Sequence, residues 1–347
     1  MRILVDISHP AHVHFFKHTI RNLKDAGHEI TTTVREKDVT IQLLKHYDIE
    51  STSLSKAREG LLGLSGELVM RQRKIIEIIK RNKIQLCVAI GGAFCALASW
   101  FLKVPCIIFT DTENAKIENL LSFPFAGRII TPDCFRGRLG KKQVRYNGFH
   151  ELAYLHPNYF TPSPEVLSEI GLREKEVFFI VRFVAWKASH DVFKHGFRLE
   201  QKTRLLNLLE KRGRVFITSE CPLEHKFQKY KLRIIPSKIH DLLSFATMLV
   251  TDSQTMTTEA AVLGTPAIRY NSFVGPRDMG NFIELESRYD LIYSFNSFEH
   301  AMNKIEELLE NRKLKEEWQN KRKKLLSNSI DVTEWIVNTI LSYCPRC

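Results

Sequence analysis

Short apolar runs alternate with longer stretches in which apolar residues recur every three or four positions, from the first residues to beyond residue 290. The short runs predict buried parallel strands, and the longer stretches predict helices with one apolar face. The predicted strands lie at 3–7, 29–34, 84–90, 104–109, 127–132, 177–183, 214–219, 231–236, 247–252, 266–270 and 290–295. The main predicted helices lie at 13–26, 38–47, 60–82, 199–211, 238–246 and 255–263, and the last fifty residues are also helical. Repeated βα units predict parallel sheets with helices on both faces.

The alternation breaks once, over residues 147–175, where prolines and aromatic residues replace any strand pattern. We interpret this stretch as a linker between two domains, which also suits a length of 347 residues. The sequence therefore predicts two doubly wound, Rossmann-like α/β domains that face a cleft. The first spans 1–160, the second spans 161–330, and a C-terminal helix follows at 331–347.

Lysine and arginine outnumber the acidic residues by 51 to 39, which gives a formal net charge of +12. Such a charge favours anionic partners. No zinc-finger or RNA-recognition pattern accompanies it, so we exclude nucleic acid and expect an anionic substrate or membrane surface. No run approaches the roughly 18 apolar residues of a membrane-spanning helix. We expect a cytoplasmic protein with peripheral contact at the inner face of the membrane.

The stretch VTDSQTMTTEAAVLGTPAIR, residues 250–269, is the most specific one in the chain. A strand ends at Asp252, a hydroxyl-rich loop follows, and a helix then runs to Gly264. Free amides and the positive end of a helix dipole form an anion site, to which Ser253 and Thr255 add hydroxyl groups. Glu259, one turn into the helix, can accept hydrogen bonds from a ribose. The alternative is that Ser253 or Thr255 only caps the helix.

This pattern resembles the donor half of GT-B glycosyltransferases and of UDP-N-acetylglucosamine 2-epimerases. The resemblance implies a nucleotide-diphosphate site formed by the start of the helix and a ribose contact at Glu259. The residues of that start are Ser253, Gln254, Thr255, Met256 and Thr257. The N-terminal stretch, with His12-Val13 and the later AGHEI, resembles the acceptor half of the lipid-linked N-acetylglucosamine transferase of peptidoglycan synthesis. The whole chain, including NGFHELAYLHP and VAWKASHD, resembles a prokaryotic GT-B family of unknown function, DUF354.

The stretch DISHPAHVHFF places His9, His12 and His14 directly after the first strand. His12 and His14 are two residues apart in a region that enters a helix, so their side chains point apart and we predict no metal site. We predict that His12 is a general base in a loop at the ligand crevice, because the pKa of histidine is ordinarily near 6.5. Asp6 and His9 are predicted to contact the substrate there.

Other candidates follow later strands. Gly91 and Gly92 allow close approach of the backbone to a ligand. Asp111 and Glu113 are candidate acid and base, as the resemblance to the epimerases also implies; the alternative is a helix cap at Thr112 or Asn114. In the second domain we predict contacts of the diphosphate or sugar with several polar residues after its strands. These residues are Arg182, Lys187, His190, Arg277 and Asp278, of which His190 is also a catalytic candidate.

Three functions remain open on the sequence. The first is a glycosyltransferase that uses a nucleotide-diphosphate sugar, with a UDP-N-acetylhexosamine expected, and builds a cell-surface glycan on a glycan or lipid-linked acceptor. The second is a nucleotide-sugar 2-epimerase, in which Asp111, Glu113 and His190 move the proton. The third is a non-catalytic module that binds a nucleotide or glycan. No cofactor is predicted apart from the nucleotide sugar, which is the substrate.

Overall fold

The computed structural model describes residues 1–57, 60–184, 196–219, 222–272 and 274–343, without the side chains of residues 61 and 62. The chain forms two compact units. Unit 1 comprises Met1–Tyr154 together with the segment from Ser329 onward, and unit 2 comprises Leu155–Asn328. The C-terminal helical segment, which the sequence suggested as a separate element, thus belongs to unit 1, where α14 packs against α1.

Unit 1 is built on a seven-stranded parallel sheet in the order β3-β2-β1-β4-β5-β6-β7. Its strands are β1 Arg2–Ile7, β2 Glu29–Glu36, β3 Thr52–Lys56, β4 Leu86–Ile90, β5 Cys106–Phe109, β6 Arg128–Pro132 and β7 Gln143–Tyr146. Its helices are α1 Pro10–Asp25, α2 Thr40–His46, α3 Leu61–Arg81, α4 Ala96–Phe101, α5 Lys116–Ser122 and α14 Val332–Ser342, with α6 Leu152–Leu155 at the boundary of the units. The interiors of β1, β4 and β5 are almost fully buried, as continuous apolar runs require.

Unit 2 is built on a five-stranded parallel sheet in the order β12-β11-β10-β8-β9. Its strands are β8 Phe178–Phe183, β9 Arg214–Ser219, β10 Met248–Thr251, β11 Ala267–Tyr270 and β12 Ile292–Phe295. Its helices are α7 Glu165–Glu169, α8 Leu199–Glu210, α9 Ile239–Phe245, α10 Gln254–Leu263, α11 Gly280–Ser287, α12 Phe298–Glu310 and α13 Leu314–Ser327. Helix α10 is buried along nearly its whole length, although half of its residues are polar.

Two edge strands and one predicted strand mark where the sequence pattern fails. Strands β3 and β7 carry the polar sequences TSLSK and QVRY, because an edge strand is only partly covered and needs no apolar run. The strand predicted at 231–236 is wrong. Only Lys231 bridges to β9, and a short 3₁₀ helix begins at Pro236, which has no backbone N–H to donate to a sheet.

No helix among the described residues is long and apolar enough to cross a bilayer.

Candidate functional site

In unit 1, polar residues collect at the edge of the sheet where the parallel strands end. His12 follows β1, Gly91 follows β4, Asp111 follows β5, and His150 follows β7. In open α/β sheets this edge is where ligands bind, because strand ends and helix starts leave their polar groups there. The edge therefore defines the candidate site of unit 1.

His12 lies in the first turn of α1 and not in the loop predicted for it, because the helix begins at Pro10, a residue that suits a first helical position. The Ser8 amide N–H donates to His12 Nδ1 at 3.4 Å, and the Ser8 hydroxyl lies 3.3 Å from the same atom. With Nδ1 accepting, the neutral ring carries its proton on Nε2. Burial, then the neighbouring His150 and Lys37, lower the pKa of His12 to about 3. His12 is thus placed as a neutral donor, and its geometry does not support the predicted role of general base.

This burial predicts a pH effect on stability. An unfolded chain protonates His12 near pH 6.5 and the folded chain only near pH 3, so the folded state binds fewer protons between these values. Stability from this residue is therefore lost as the pH falls below about 6.5, at up to ~1.4 kcal/mol per pH unit. We expect His12→Asn to lose less unfolding free energy than the wild type between pH 7 and pH 5. Denaturant titrations check this, with the exposed His225→Asn as control; equal losses in all three proteins would contradict the burial of His12.

Asp111 and His150 are the main pair of titratable side chains in contact at this edge. His150 Nδ1 lies 3.7 Å from Asp111 Oδ2 and 3.1 Å from the Tyr146 hydroxyl, and its ring stacks on Phe15. His150 is buried, and its Nε2 has no hydrogen-bond partner among the described residues. Burial lowers the pKa of His150, and Asp111 opposes that shift. A carboxylate held against an imidazole is a recurring arrangement for moving a proton.

The two glutamates near Asp111 differ from the prediction. Glu113 accepts a hydrogen bond from the Arg136 backbone at 2.9 Å, so it holds the loop after β6 and is not directed at His150. Glu118, which the sequence did not single out, lies against Gly91: a Cβ on Gly91 would come within 2.0 Å of its Oε1. Burial raises the pKa of Glu118, opposed by Arg35 and Lys37. Neither Thr112 nor Asn114 caps α5, which begins at Lys116.

Gly91 and Gly92 are needed for close approach, but the approaching groups belong to this chain. Both glycines have positive φ angles, +69° and +76°. A Cβ on Gly91 would collide with Glu118, and one on Gly92 would lie 2.8 Å from Ile108. Both glycines are thus required by internal packing, and their predicted contact with a ligand stays a prediction.

Asp6 is part of a buried charge network and is not directed at a ligand. It accepts hydrogen bonds from Thr33 at 2.7 Å and from Arg71 at 2.6 Å, and it is almost fully buried. Arg71 also reaches Ser55, and Ser55 donates to Glu67. Because a buried carboxylate needs paired donors, this network accounts for Asp6 structurally, contrary to the predicted substrate contact.

His9 and His14 each have structural partners, and the ring of His9 also lies 5.9 Å from that of His12. His9 is the N-cap of α1, and its Nδ1 accepts from the Ala11 amide at 3.2 Å. His14 is buried and stacks on Tyr154. Within the described part of the chain no group of three or more His, Cys, Asp or Glu side chains has metal-binding geometry. The predictions of no metal and of a substrate contact at His9 stay predictions.

In unit 2, the start of α10 has the form of an anion site. Ser253 is the N-cap and accepts from the Met256 amide at 3.4 Å, while Thr257 donates to the Ser253 carbonyl at 2.6 Å. These contacts fix the first turn; Met256 and Thr257 are buried, whereas Gln254 and Thr255 are partly exposed. Ser253 therefore caps the helix, and the predicted binding of an anion by the amides and by Gln254 and Thr255 stays a prediction.

Glu259 forms a buried pair with His240. His240 Nε2 lies 2.9 Å from Glu259 Oε1, and both side chains are at most 6% exposed. Helices α9 and α10 pack together and bring these residues into register. The sequence did not identify His240, because its partner lies 19 residues away on another helix. The pair fixes the orientation of the carboxylate that is predicted to hold a ribose.

Asp278 and Arg277 differ sharply in environment. Asp278 is buried and pairs with Arg269 of β11, whose guanidinium also stacks on Phe282. Burial lowers the pKa of Arg269, opposed by Asp278. Asp278 therefore compensates a buried cation and is not available for the predicted sugar contact, whereas Arg277 is exposed.

The remaining predicted contacts of unit 2 follow β8. Arg182 donates to Thr218 of β9 at 2.9 Å, and its predicted contact with a diphosphate stays a prediction. Lys187 and His190 lie outside the described residues.

The two parallel, doubly wound units with C-terminal helices have the GT-B architecture. The chain belongs to the family described as "Protein of unknown function (DUF354)", whose model matches residues 1–344. An uncharacterized protein of Methanocaldococcus jannaschii, MJ0665, is 22% identical over 282 residues, 77% of this chain and 80% of the relative.

Two solved structures illustrate the fold. The UDP-GlcNAc 2-epimerase from Neisseria meningitidis, bound to UDP-GlcNAc, aligns with a TM-score of 0.68 and 11% identity, covering 99% of this chain and 100% of its own. MurG from Acinetobacter baumannii aligns with a TM-score of 0.60 and 14% identity, covering 99% and 100%. At these identities the likeness establishes the fold.

Proposed function

We propose that this protein is an enzyme that transfers a glycosyl group from a nucleotide-diphosphate sugar to an acceptor hydroxyl in cell-surface glycan synthesis. The similar epimerase structure is bound to UDP-GlcNAc, which supports a UDP-N-acetylhexosamine as the donor. The capped, partly exposed start of α10 and the oriented Glu259 support nucleotide binding in unit 2.

The observation that carries the proposal is the Asp111–His150 pair beside His12 at the strand ends of unit 1. In the proposed step this pair takes the proton of the acceptor hydroxyl. The acceptor oxygen bonds to the anomeric carbon, and the bond from that carbon to the diphosphate oxygen breaks. The diphosphate leaves with the electron pair, and the dipole and amides of α10 stabilise its charge. His12, neutral and protonated on Nε2, donates a hydrogen bond.

A second candidate is epimerisation at the second carbon of the sugar. Glu118 favours it, because burial raises the pKa of this carboxyl and suits it to act as an acid. Asp111 would then remove the proton from the sugar, and Glu118 would return one. A transferase needs one base, whereas this reaction needs both a base and an acid.

The two reactions are separated by incubating the protein with UDP-N-acetylglucosamine in heavy water. For a transferase we expect no deuterium at the second carbon and release of UDP only after addition of a glycan or lipid-linked acceptor fraction. Deuterium uptake without acceptor would replace the first candidate by the second. Binding of UDP without either reaction would indicate that the protein is a non-catalytic binding module. Absence of UDP binding would refute both enzyme proposals.

A further inference from the structure

Five large apolar side chains are exposed together on α4 and α5 of unit 1. We call them the apolar face: Trp100, Phe101, Ile117, Leu120 and Leu121, with exposures from 38% to 73%. The two helices are in contact, and Trp100 packs against Phe125 of the following 3₁₀ turn, 5.4 Å between ring centroids. Scattered exposed apolar residues are ordinary, whereas a contiguous group of large ones marks an interaction surface.

A helix that covers a core usually turns its apolar side inward, but α5 turns its apolar side outward. Two of its polar residues face inward: Ser122 is buried, and Glu118 lies against Gly91. Its leucines and isoleucine face outward, with Leu120 exposed by 73%. While this side of the helix faces water, the protein does not gain the free energy of burying these apolar side chains. The arrangement therefore indicates that another surface covers the helix.

Exposed cations surround the apolar face. Lys116 begins α5, Lys103 follows α4, and Lys142 donates to the carbonyls of residues 123 and 124 in the adjoining 3₁₀ turn. Arg128 donates to the Lys141 carbonyl beside them, so two further cations lie at this rim. The carboxylate of the same segment, Glu118, is turned inward. The rim is thus positive, while the centre is apolar and aromatic.

We propose that this face docks on an anionic lipid surface. Aromatic and aliphatic side chains that enter the interfacial layer, ringed by Lys and Arg, are the features by which peripheral proteins bind anionic bilayers. The charge argues against a second copy as occupant, because a two-fold contact would bring the two positive rims together. The proposal does not depend on the reaction proposed above.

Flotation with phosphatidylcholine vesicles, with and without phosphatidylglycerol, tests the docking. The full chain should bind only vesicles that contain phosphatidylglycerol and should dissociate in high salt. Phe101→Ser with Leu120→Ser should weaken binding at least about tenfold through lost apolar burial. Lys116→Glu with Lys141→Glu should weaken it by about tenfold or more, since each cation at an anionic surface contributes about fivefold.

Matched controls lie in unit 2. Ile235→Ser removes a large apolar side chain that is 54% exposed, and Lys211→Glu reverses an exposed charge; both should bind as the wild type does. Circular dichroism verifies that each variant is folded. Absence of vesicle binding, or equal binding with and without phosphatidylglycerol, would overturn the proposal. So would a dimer in sedimentation that the Phe101→Ser, Leu120→Ser variant abolishes, because the face would then serve self-association.

Discussion

Asp111→Asn is expected to lower kcat by about 10²–10⁴, the usual contribution of a general base. The amide keeps the size of the side chain and an oxygen that accepts the hydrogen bond from Thr112, but it cannot take a proton. Because Asp111 is only partly buried at the strand end, the melting temperature should change little. Steady-state kinetics and thermal unfolding on the same preparations measure both effects.

His150→Gln tests whether the pair acts as one unit. If it does, the double variant should be scarcely slower than Asp111→Asn alone, since groups that act together are not additive. Asp25→Asn, an exposed carboxylate at the end of α1, should retain the wild-type kcat. Full activity of Asp111→Asn would show that another residue is the general base. A strong loss of activity in His12→Asn would then make His12 the first candidate.

Glu259→Gln is expected to weaken UDP binding by roughly 1.5–3 kcal/mol, the value of a hydrogen bond to a charged group. Glutamine retains an acceptor oxygen for His240, so the buried contact is kept while the negative charge facing the ribose is lost. Isothermal titration calorimetry with UDP measures the change without any turnover. Alanine would be a poorer choice, because it would leave His240 buried without its partner.

The control for this experiment is Glu306→Gln, an exposed carboxylate of α12, which should bind UDP as the wild type does. Unchanged UDP affinity in a folded Glu259→Gln protein would remove Glu259 from the nucleotide site. A lowered melting temperature with unchanged affinity would assign the pair with His240 to structure alone.

Much of the fold is predictable because central parallel strands are buried on both faces and must be apolar along their whole length. Strands β1, β4, β5 and β8 illustrate this, and the sequence locates each of them. Edge strands β3 and β7 face solvent on one side, so polar residues suffice there and no pattern reveals them. The prediction at 231–236 fails for the opposite reason: its apolar residues Leu232, Ile234 and Ile235 are typical of a strand, but only Lys231 forms a bridge to the sheet.

The candidate site was less predictable, because its contacts join residues that are distant in the chain. The position of Asp111 after a buried strand identifies it, yet its partner His150 stands in a stretch interpreted as a linker. Asp6, near the end of β1, meets the same positional criterion and nevertheless pairs with buried Arg71, and Asp278, in the loop after β11, pairs with buried Arg269. A position at a strand end thus makes a residue a candidate for the site, while the charged group that faces the residue decides its role. The sequence pattern did not show that Arg71 and Arg269 are buried beside these two carboxylates.

The return of the chain to unit 1 has a consequence for the order of folding. Unit 2 is an insertion within unit 1, because α14 packs on α1 and Trp335 stacks near Tyr146 of β7. Thr333 also donates to the Ala153 carbonyl, fixing the two segments of unit 1 to each other. During synthesis, therefore, the first 154 residues emerge from the ribosome without the helix that covers α1. Unit 2 can fold as a continuous segment, whereas the unit that is synthesised first is the last to be completed.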